Sequence, residues 1–259
     1  MTKSFPLISL IVAIIFATSC QKEISASNSA NHNTIDSSSL LKTYSETYST
    51  SATSSISATF NVQYDAKKQI IGLISISNPG NKFVYTFPLA TKWTQDIFSS
   101  DTLTIHEDFF TNPNSFLDST YQYNDTKDTS AEKYFYNSNN EVVSMNEYQF
   151  NNGVSQLINT INYTYNTAGD LISATGSDFN SETYTYYTDA VYLTPLVTGI
   201  SNINSFKKMH LPKTYNLTSN GISVITVNFT YIFDAKNRIT FDKATAVDSS
   251  TLTKAYTYY

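Results

Sequence analysis

The sequence predicts an all-β protein, an antiparallel meander of hairpins that forms a curled or barrel-like sheet. Tyrosine (20 residues) and phenylalanine (16) are abundant and glycine is scarce (7), and aromatic and β-branched side chains pack well on a pleated surface. Apolar and polar residues alternate with the two-residue period of a half-buried strand, as in residues 223–233, SVITVNFTYIF. One turn pattern recurs, and only residues 203–209 suggest a short helix. We expect ten to fourteen strands in one domain.

The first 19 residues, MTKSFPLISLIVAIIFATS, have the features of an export signal. Lys3 supplies the positive charge, and the apolar run at residues 7–16 is too short to span a bilayer, since a spanning helix needs roughly 20 residues. Small residues then precede Cys20, the only cysteine of the chain, so no disulfide is expected.

The stretch Ala17-Thr18-Ser19-Cys20 resembles the lipobox of bacterial lipoproteins. That resemblance implies that Cys20 is lipidated and becomes the first residue of the mature chain. The next residues, Gln21-Lys22-Glu23, resemble the charged tract of Bacteroidota lipoproteins that reach the cell surface. The implied location is the cell envelope, lipid-anchored at the outer membrane and periplasmic or surface-exposed. A secreted protein with an incidental cysteine in its signal is the alternative.

Residues 20–55 are rich in Ser, Thr and Asn and lack apolar periodicity. Such a segment buries too little apolar surface to offset its ordering entropy. We therefore predict a flexible tether over residues 20–55 and a single hairpin-repeat domain over residues 56–259. The net charge of −5 offers no basic surface for nucleic acid.

A short turn pattern recurs four times: an aromatic residue, Asp or Asn, three loop residues, a polar residue and an aliphatic one. Its anchor pairs are Tyr64/Asp65, Tyr136/Asn137, Tyr165/Asn166 and Phe233/Asp234. Asp and Asn side chains initiate turns by accepting hydrogen bonds from backbone two residues ahead. Three positions after each Asp or Asn stand Lys68, Asn140, Gly169 and Asn237. Gly and Asn tolerate the left-handed conformation needed there, which leaves the turn with Lys68 as the least secure.

Other turns are predicted at the Asn-Gly pairs Asn152-Gly153 and Asn220-Gly221, which favour tight hairpins. The six residues that we assign to structural turn roles are Asp65, Asn137, Asn166, Gly169, Asp234 and Asn237.

The repeated unit resembles the YD repeats of Rhs-type shells. It is still closer to an uncharacterised family of Bacteroidota lipoproteins with similar hairpins. The residues that carry this resemblance are Leu211-Pro212-Lys213 and residues 229–239, FTYIFDAKNRI. The resemblance implies an all-β, barrel-like fold and supplies no catalytic residue.

The residues with catalytic or metal-binding chemistry form few recognisable patterns. In His106-Glu107-Asp108 only His106 and Asp108 share a face of a strand, and His210 precedes a Leu-Pro loop. There is no phosphate loop, dinucleotide fingerprint, zinc spacing or G-x-S-x-G elbow, so we predict no metal, no cofactor and no catalytic residue. A two-carboxylate glycosidase stays open, because carboxylate pairs are recognisable only in three dimensions.

Rows of tyrosine are the remaining candidate site, since a tyrosine ring suits both sugars and protein partners. The six candidate ligand-binding aromatics are Tyr163, Tyr165, Tyr184, Tyr186, Tyr256 and Tyr258. Cross-strand aromatic pairs that only stabilise the sheet are the alternative. The sequence therefore favours a lipid-anchored envelope protein that binds a glycan or an envelope protein, or serves as a scaffold. A lipid-anchored hydrolase acting on glycans and an integral outer-membrane barrel are the rival hypotheses.

Overall fold

The computed structural model describes residues 40–50, 54–114, 116–124, 129–151, 153–177, 180–191 and 210–259. Sixteen β-strands pair antiparallel in chain order, and the first strand pairs with the last, so the sheet closes into a barrel. The predicted all-β meander is confirmed, with more strands than expected. The short helix predicted at residues 203–209 lies outside the described residues.

The strands are mostly eight to twelve residues long. The first eight are β1 (Leu41–Thr50), β2 (Ser54–Tyr64), β3 (Ile70–Ser75), β4 (Lys82–Leu89), β5 (Lys92–Ser99), β6 (Thr102–Thr111), β7 (Leu117–Asn124) and β8 (Thr129–Tyr136). The second eight are β9 (Val142–Asn151), β10 (Val154–Tyr165), β11 (Leu171–Gly176), β12 (Asn180–Val191), β13 (His210–Ser219), β14 (Ile222–Phe233), β15 (Ile239–Ala246) and β16 (Thr251–Tyr258).

The predicted tether is too long at its C-terminal end. Residues 41–50 form β1, which pairs with β2 on one side and with β16 on the other. The strand is polar because its outward positions carry hydroxyls, while Tyr44 points inward and is only 6% exposed. An isolated segment of this composition would not order, but two neighbouring strands supply the backbone partners and the apolar surface that it lacks. The barrel therefore includes residues 41–50, which the predicted domain over residues 56–259 left out.

Register assigns the two faces of the wall, because residues directly opposite each other on neighbouring strands share a face. Tyr44 lies opposite Phe60 and Tyr256, and all three are buried. The adjacent Thr43 lies opposite Thr257 and Asn61 on the other face. In a closed barrel the buried face is the inside, so tyrosine and apolar residues line the interior and short polar residues cover much of the outer wall.

The recurrent turns all lie at one end of the barrel, which we call the Asx end. Consecutive hairpins of a meander turn at alternate ends, so the turns of β2/β3, β6/β7, β8/β9, β10/β11 and β14/β15 fall together. In the first of them the Asp65 carboxylate accepts hydrogen bonds from the backbone N–H groups of Lys67 and Gln69, both at 2.8 Å. The same pair of bonds forms at Asn137, Asn166 and Asp234, and also at Asn112, which the sequence pattern did not include.

The third loop position of these turns is left-handed in all four repeats. The φ angles are 64° at Lys68, 59° at Asn140, 86° at Gly169 and 57° at Asn237. Asn and Gly adopt this region at low cost, whereas lysine is strained there.

Aliphatic side chains close the Asx end from the inside. Each is the first or second residue of a strand that leaves this end, and each is at most 3% exposed: Leu41, Ile70, Leu117, Val142, Leu171, Leu211 and Ile239. Six tyrosines donate their hydroxyl hydrogen to a backbone carbonyl near the start of the preceding strand. They are Tyr64, Tyr136, Tyr165, Tyr186, Tyr231 and Tyr258. The repeated aromatic of the sequence pattern is thus a clamp between the two strands of a hairpin. In the fourth repeat Tyr231 takes this role, and the anchor Phe233 is 41% exposed.

The opposite end is built differently. Asn220 and Gly221 have φ of 52° and 76°, which is the tight two-residue turn predicted for this Asn-Gly pair. Gly153 also has a positive φ of 80°, while its neighbour Asn152 lies outside the described residues. Large aliphatic side chains are exposed around this end, including Ile56 (70%), Val154 (69%) and Ile222 (71%).

Candidate functional site: the tyrosine and carboxylate belt inside the barrel

The six tyrosines predicted to bind a ligand line the inside of the barrel. Tyr165, Tyr186 and Tyr258 belong to the clamps at the Asx end. Nearer the middle, the Tyr184 hydroxyl donates to Glu182 at 2.5 Å and the Tyr256 hydroxyl to Asp242 at 2.6 Å. The Tyr163 hydroxyl lies 3.9 Å from the sulfur of Met145. These tyrosines do not form a row on the outer wall, so a ligand that contacts them has to enter the barrel.

The structure places carboxylates beside these rings that sequence reasoning missed. They share the inward face at mid-height of the wall: Glu46, Glu107, Glu132, Glu147, Glu182 and Asp242. Tyrosine hydroxyls bond to four of them, since Tyr44 donates to Glu46 and Tyr134 to Glu132 in the same manner as Tyr184 and Tyr256. We call this set the carboxylate belt. A Glu two residues from a Tyr in a strand lies on the same face, so the pairs at 44/46, 132/134 and 182/184 were a signal of the belt.

The strands β6 to β9 bring three glutamates close together. Glu132 and Glu147 lie directly opposite each other, and Glu107 lies opposite Gln122, whose amide donates to it at 2.9 Å. Burial, reinforced by the charge of Glu132, raises the pKa of Glu107 to about 7. Burial also raises the pKa of Glu132, and the facing charge of Glu147 adds to that effect, against hydrogen bonds from Tyr134 and Thr120 that lower it. Near neutral pH a large fraction of Glu107 therefore keeps a proton that an ordinary glutamate has lost.

Burial also changes the pKa of a belt residue on the other side of the barrel, Asp242. Burial raises the pKa of this carboxyl. Two weaker effects lower it: the charge of Lys254, which lies directly opposite on β16, and the hydrogen bond from the Tyr256 hydroxyl. The pKa of Tyr85 rises for the same reason of burial, with the charge of Glu107 as a second cause. The interior is therefore an environment that disfavours charge.

Hydrogen-bond donors also lie on the inward face. Gln95 lies opposite Glu107 and is 4% exposed, and within the described part of the chain its amide nitrogen has no hydrogen-bond partner. The same holds for the indole nitrogen of Trp93, which is 5% exposed. Buried polar groups are nearly always paired. Carboxylate acceptors and N–H donors on one face form an arrangement that suits molecules with hydroxyl groups.

Both described histidines are held by carboxylates. The Nδ1 of His106 is 2.5 Å from Asp96, and its Nε2 is 3.3 Å from Asp108, so His106 and Asp108 do share the outward face. His210 donates its backbone N–H to the buried Asp170 at 2.8 Å, and its Nδ1 lies at the same distance from the other carboxylate oxygen. Asp170 thereby fixes the start of β13 to the β10/β11 turn. In the described ranges, no three His, Cys, Asp or Glu side chains are grouped to hold a metal ion.

The lipidation site predicted at Cys20 lies outside the described residues. Among the residues that the structure describes, no helix is both long and apolar enough to cross a membrane.

The comparisons with known proteins identify the fold. No protein-family model matches the chain, and no curated protein does. Among solved structures, the barrel is similar to a porin-like protein from Bacteroides uniformis, with a TM-score of 0.59 and 12% identity over 85% of this chain and 98% of the other. A porin-like protein from Bacteroides vulgatus gives a TM-score of 0.57 and 10% identity over 85% and 99% of the two chains. At these identities the likeness extends to the fold alone.

Proposed function

We propose that the protein is a lipid-anchored component of the cell envelope, at the outer membrane, whose barrel stands in water and has a binding role. The observation that carries the proposal is the polarity of the outer wall. Outward side chains pair across neighbouring strands through hydroxyl groups, at 2.6 Å for Thr43 with Thr257 and for Thr185 with Thr214. The Ser45 hydroxyl donates to Thr59 at 2.9 Å in the same way.

A wall of this kind suits water better than lipid. Barrels embedded in a bilayer present an apolar, lipid-facing row on each strand, flanked by aromatic girdles. Here the outward positions of β10 to β14 are mostly Thr, Ser and Asn, and Asn162, Thr183 and Asn228 are exposed. Polar groups that lack a hydrogen-bond partner cost several kcal/mol each in hydrocarbon, and exposed side-chain amides such as Asn162 and Asn228 have several groups to satisfy. This cost supports attachment by acyl chains at Cys20, with the barrel outside the bilayer.

The attachment would reach the barrel at the Asx end. Leu41 begins β1 and lies opposite Tyr258 near the end of β16, so both ends of the barrel segment meet there. A lipid on Cys20 would hold this end toward the membrane and leave the opposite end, with its exposed aliphatic side chains, free to meet partners. The binding role itself is supported by the carboxylate belt, by the Gln95 amide opposite Glu107, and by the indole N–H of Trp93 on the same inward face.

Two rival functions each have one observation in their favour. The fold shared with porin-like proteins favours an integral outer-membrane barrel. The close glutamates, with the pKa of Glu107 raised to about 7, favour a lipid-anchored hydrolase acting on glycans, because a carboxylic acid that is protonated near neutral pH can serve as a general acid.

The Cys20→Ser variant separates anchoring from membrane insertion. Cells are labelled with radioactive palmitate, and membranes are separated from soluble envelope proteins. We expect wild-type protein to carry label and to sediment with the outer membrane. We expect the variant to lack label and to remain soluble and folded without detergent. A variant that still sediments and needs detergent for extraction would instead support the integral barrel.

The hydrolase is tested separately with Glu107→Gln and Glu132→Gln. Turnover of a polysaccharide by wild-type protein that both variants lose would support the hydrolase. Absence of turnover leaves the binding role in place.

A further inference from the structure

The outer wall is not uniform. From β6 to β9 several outward positions carry aromatic rings in place of the hydroxyls found elsewhere. We call this set the aromatic patch: Phe110, Tyr121, Tyr123, Tyr148 and Phe150. Register places them outside, because Tyr121 lies opposite Asp108 and Ala131, and Ala131 lies opposite Tyr148. The inward Gln122 and Glu107 alternate with them.

The rings of the aromatic patch contact each other. The centre of the Tyr121 ring is 5.8 Å from that of Phe110, edge to face, and 6.4 Å from that of Phe150. Ala131, between Tyr121 and Tyr148 in register, is 6% exposed. A small residue at this central position leaves the rings themselves as the surface, and their mutual contacts fix their orientation. Tyr123 extends the patch and is 41% exposed.

A line of polar groups borders the patch. His106 connects Asp96 and Asp108 by the contacts given above, and its ring centre is 5.7 Å from that of Tyr123. Lys92 lies 2.9 Å from Asp108, and its ammonium is 5.1 Å from the centre of the Phe110 ring. The border therefore offers the Asp96 carboxylate, the His106 imidazole and the Lys92 ammonium, all partly exposed beside flat apolar rings. The buried Asp108 holds His106 and Lys92 in place.

We propose that the aromatic patch and its polar border form a binding surface for the sugar rings of a glycan. The C–H face of a sugar stacks on tyrosine or phenylalanine rings, and its hydroxyls both donate to carboxylates and accept from ammonium or imidazole. The pairing of acidic and basic groups suits a neutral, hydroxyl-bearing ligand more than a charged polymer. Five rings also give much less area than the ~800 Å² that each partner buries in a stable protein complex. The inference goes beyond the proposed binding role, which rests on the carboxylate belt inside the barrel, because it names a second surface on the outer wall and the ligand class that fits it.

The test measures the affinity of the purified full-length protein for four polysaccharides, dextran, laminarin, mannan and xylan, by retardation in gels that contain them. We expect at least one polysaccharide to retard the wild-type protein. Tyr121→Ala and Tyr123→Ala should weaken that binding about tenfold or more. Phe233→Ala is the matched control, since Phe233 is 41% exposed like Tyr123 and lies outside the patch. It should bind as the wild type does.

Each other outcome would overturn the proposal. If the wild type and both tyrosine variants bind a polysaccharide equally well, the glycan binds elsewhere on the protein. If Phe233→Ala weakens binding as much as the tyrosine variants do, the loss of binding is not specific to the aromatic patch. A dimer that Tyr123→Ala abolishes, without glycan retardation, would assign the patch to a second copy of the chain. Thermal melting checks that the variants are folded, and Tyr148→Ala provides a third substitution if one is not. The palmitate labelling at Cys20 is independent of these readouts, so failure of the patch and failure of the anchoring proposal are distinguishable.

Discussion

The two ends of the barrel differ in how they are held together. At the Asx end, buried aliphatic residues, Asx turns and tyrosine clamps recur hairpin after hairpin. At the opposite end, Ile56, Val154, Ile222 and Val247 are between 69% and 77% exposed. The contrast teaches that the repeated sequence unit encodes one end of the barrel and leaves the other end free of the same constraint. Because local stability follows buried apolar contact, we expect the fold to be most sensitive to change at the Asx end.

The largest expected effect comes from the same substitution made at each end. Leu171 is 3% exposed at the Asx end, and Leu157 is 51% exposed near the opposite end. Leu171→Ala should lower the free energy of unfolding by about 3 kcal/mol, because it removes buried methyl groups and leaves a cavity. Leu157→Ala should change it by less than about 0.5 kcal/mol. Urea denaturation measures both, and equal losses would show that the two ends contribute alike.

The carboxylate belt between the two ends gives the next effect, a dependence of stability on pH. The pKa of Glu107 is about 7 in the folded barrel, above the ordinary value of 4.5 that applies to the unfolded chain. Between these two values the folded state binds more protons than the unfolded state, so stability falls as the pH rises from about 4.5 to 7. The loss should be on the order of 2 kcal/mol.

Unfolding by urea at pH 5 and pH 8 checks this sign. Glu107→Gln should reduce the difference and be more stable than the wild type at pH 8, while Glu132 and Asp242, whose pKa values are also raised, should account for the remainder. A barrel that is more stable at pH 8 than at pH 5 would contradict the assignment of a buried, proton-holding Glu107.

The features that the sequence predicted are the local ones. The turns at Asp65 and Asn166 could be predicted because the hydrogen bonds that form them are local. The side chain accepts from a backbone N–H two residues ahead, and the next residue is left-handed, so a short sequence pattern identifies the turn. Barrel closure leaves no such pattern. Thr43 and Thr257 are 214 positions apart, and β1 gains its order from that distant partner.

Alternation alone also cannot say which face is inside. The tyrosines at 184 and 186 alternate with Thr183 and Thr185, and either row satisfies a period of two. The interior was decided by the other strands, where large aromatic and aliphatic residues share the tyrosine face. Glu182 belongs to that face too, where it accepts from the hydroxyl groups of Tyr184, two residues away, and of Tyr215 on the next strand.

A smaller effect tests the clamps of the Asx end. The Tyr165 hydroxyl donates to the carbonyl oxygen of Val142 at 3.0 Å, whereas Tyr259 is 57% exposed at the same end. Tyr165→Phe should cost about 1 kcal/mol of unfolding free energy, since the buried carbonyl loses a donor while the ring stays. Tyr259→Phe should be neutral within about 0.3 kcal/mol. If the two substitutions have the same effect, the hydroxyl bonds do not stabilise this end.

The smallest expected effect is a gain. Lys68 occupies the left-handed position with φ of 64°, where the corresponding turns have Asn140, Gly169 and Asn237. A lysine in this region is strained by its Cβ, while asparagine is several times more common there. Lys68→Asn should therefore raise the free energy of unfolding by about 0.5 kcal/mol, and Asn140→Lys should lower it by a similar amount. If the two turns are equivalent, Lys68→Asn should raise the melting temperature and Asn140→Lys should lower it. Each substitution gives one turn the residue that the other turn has. A Lys68→Asn barrel that melts below the wild type would mean that the lysine side chain makes contacts at the Asx end that outweigh its backbone strain.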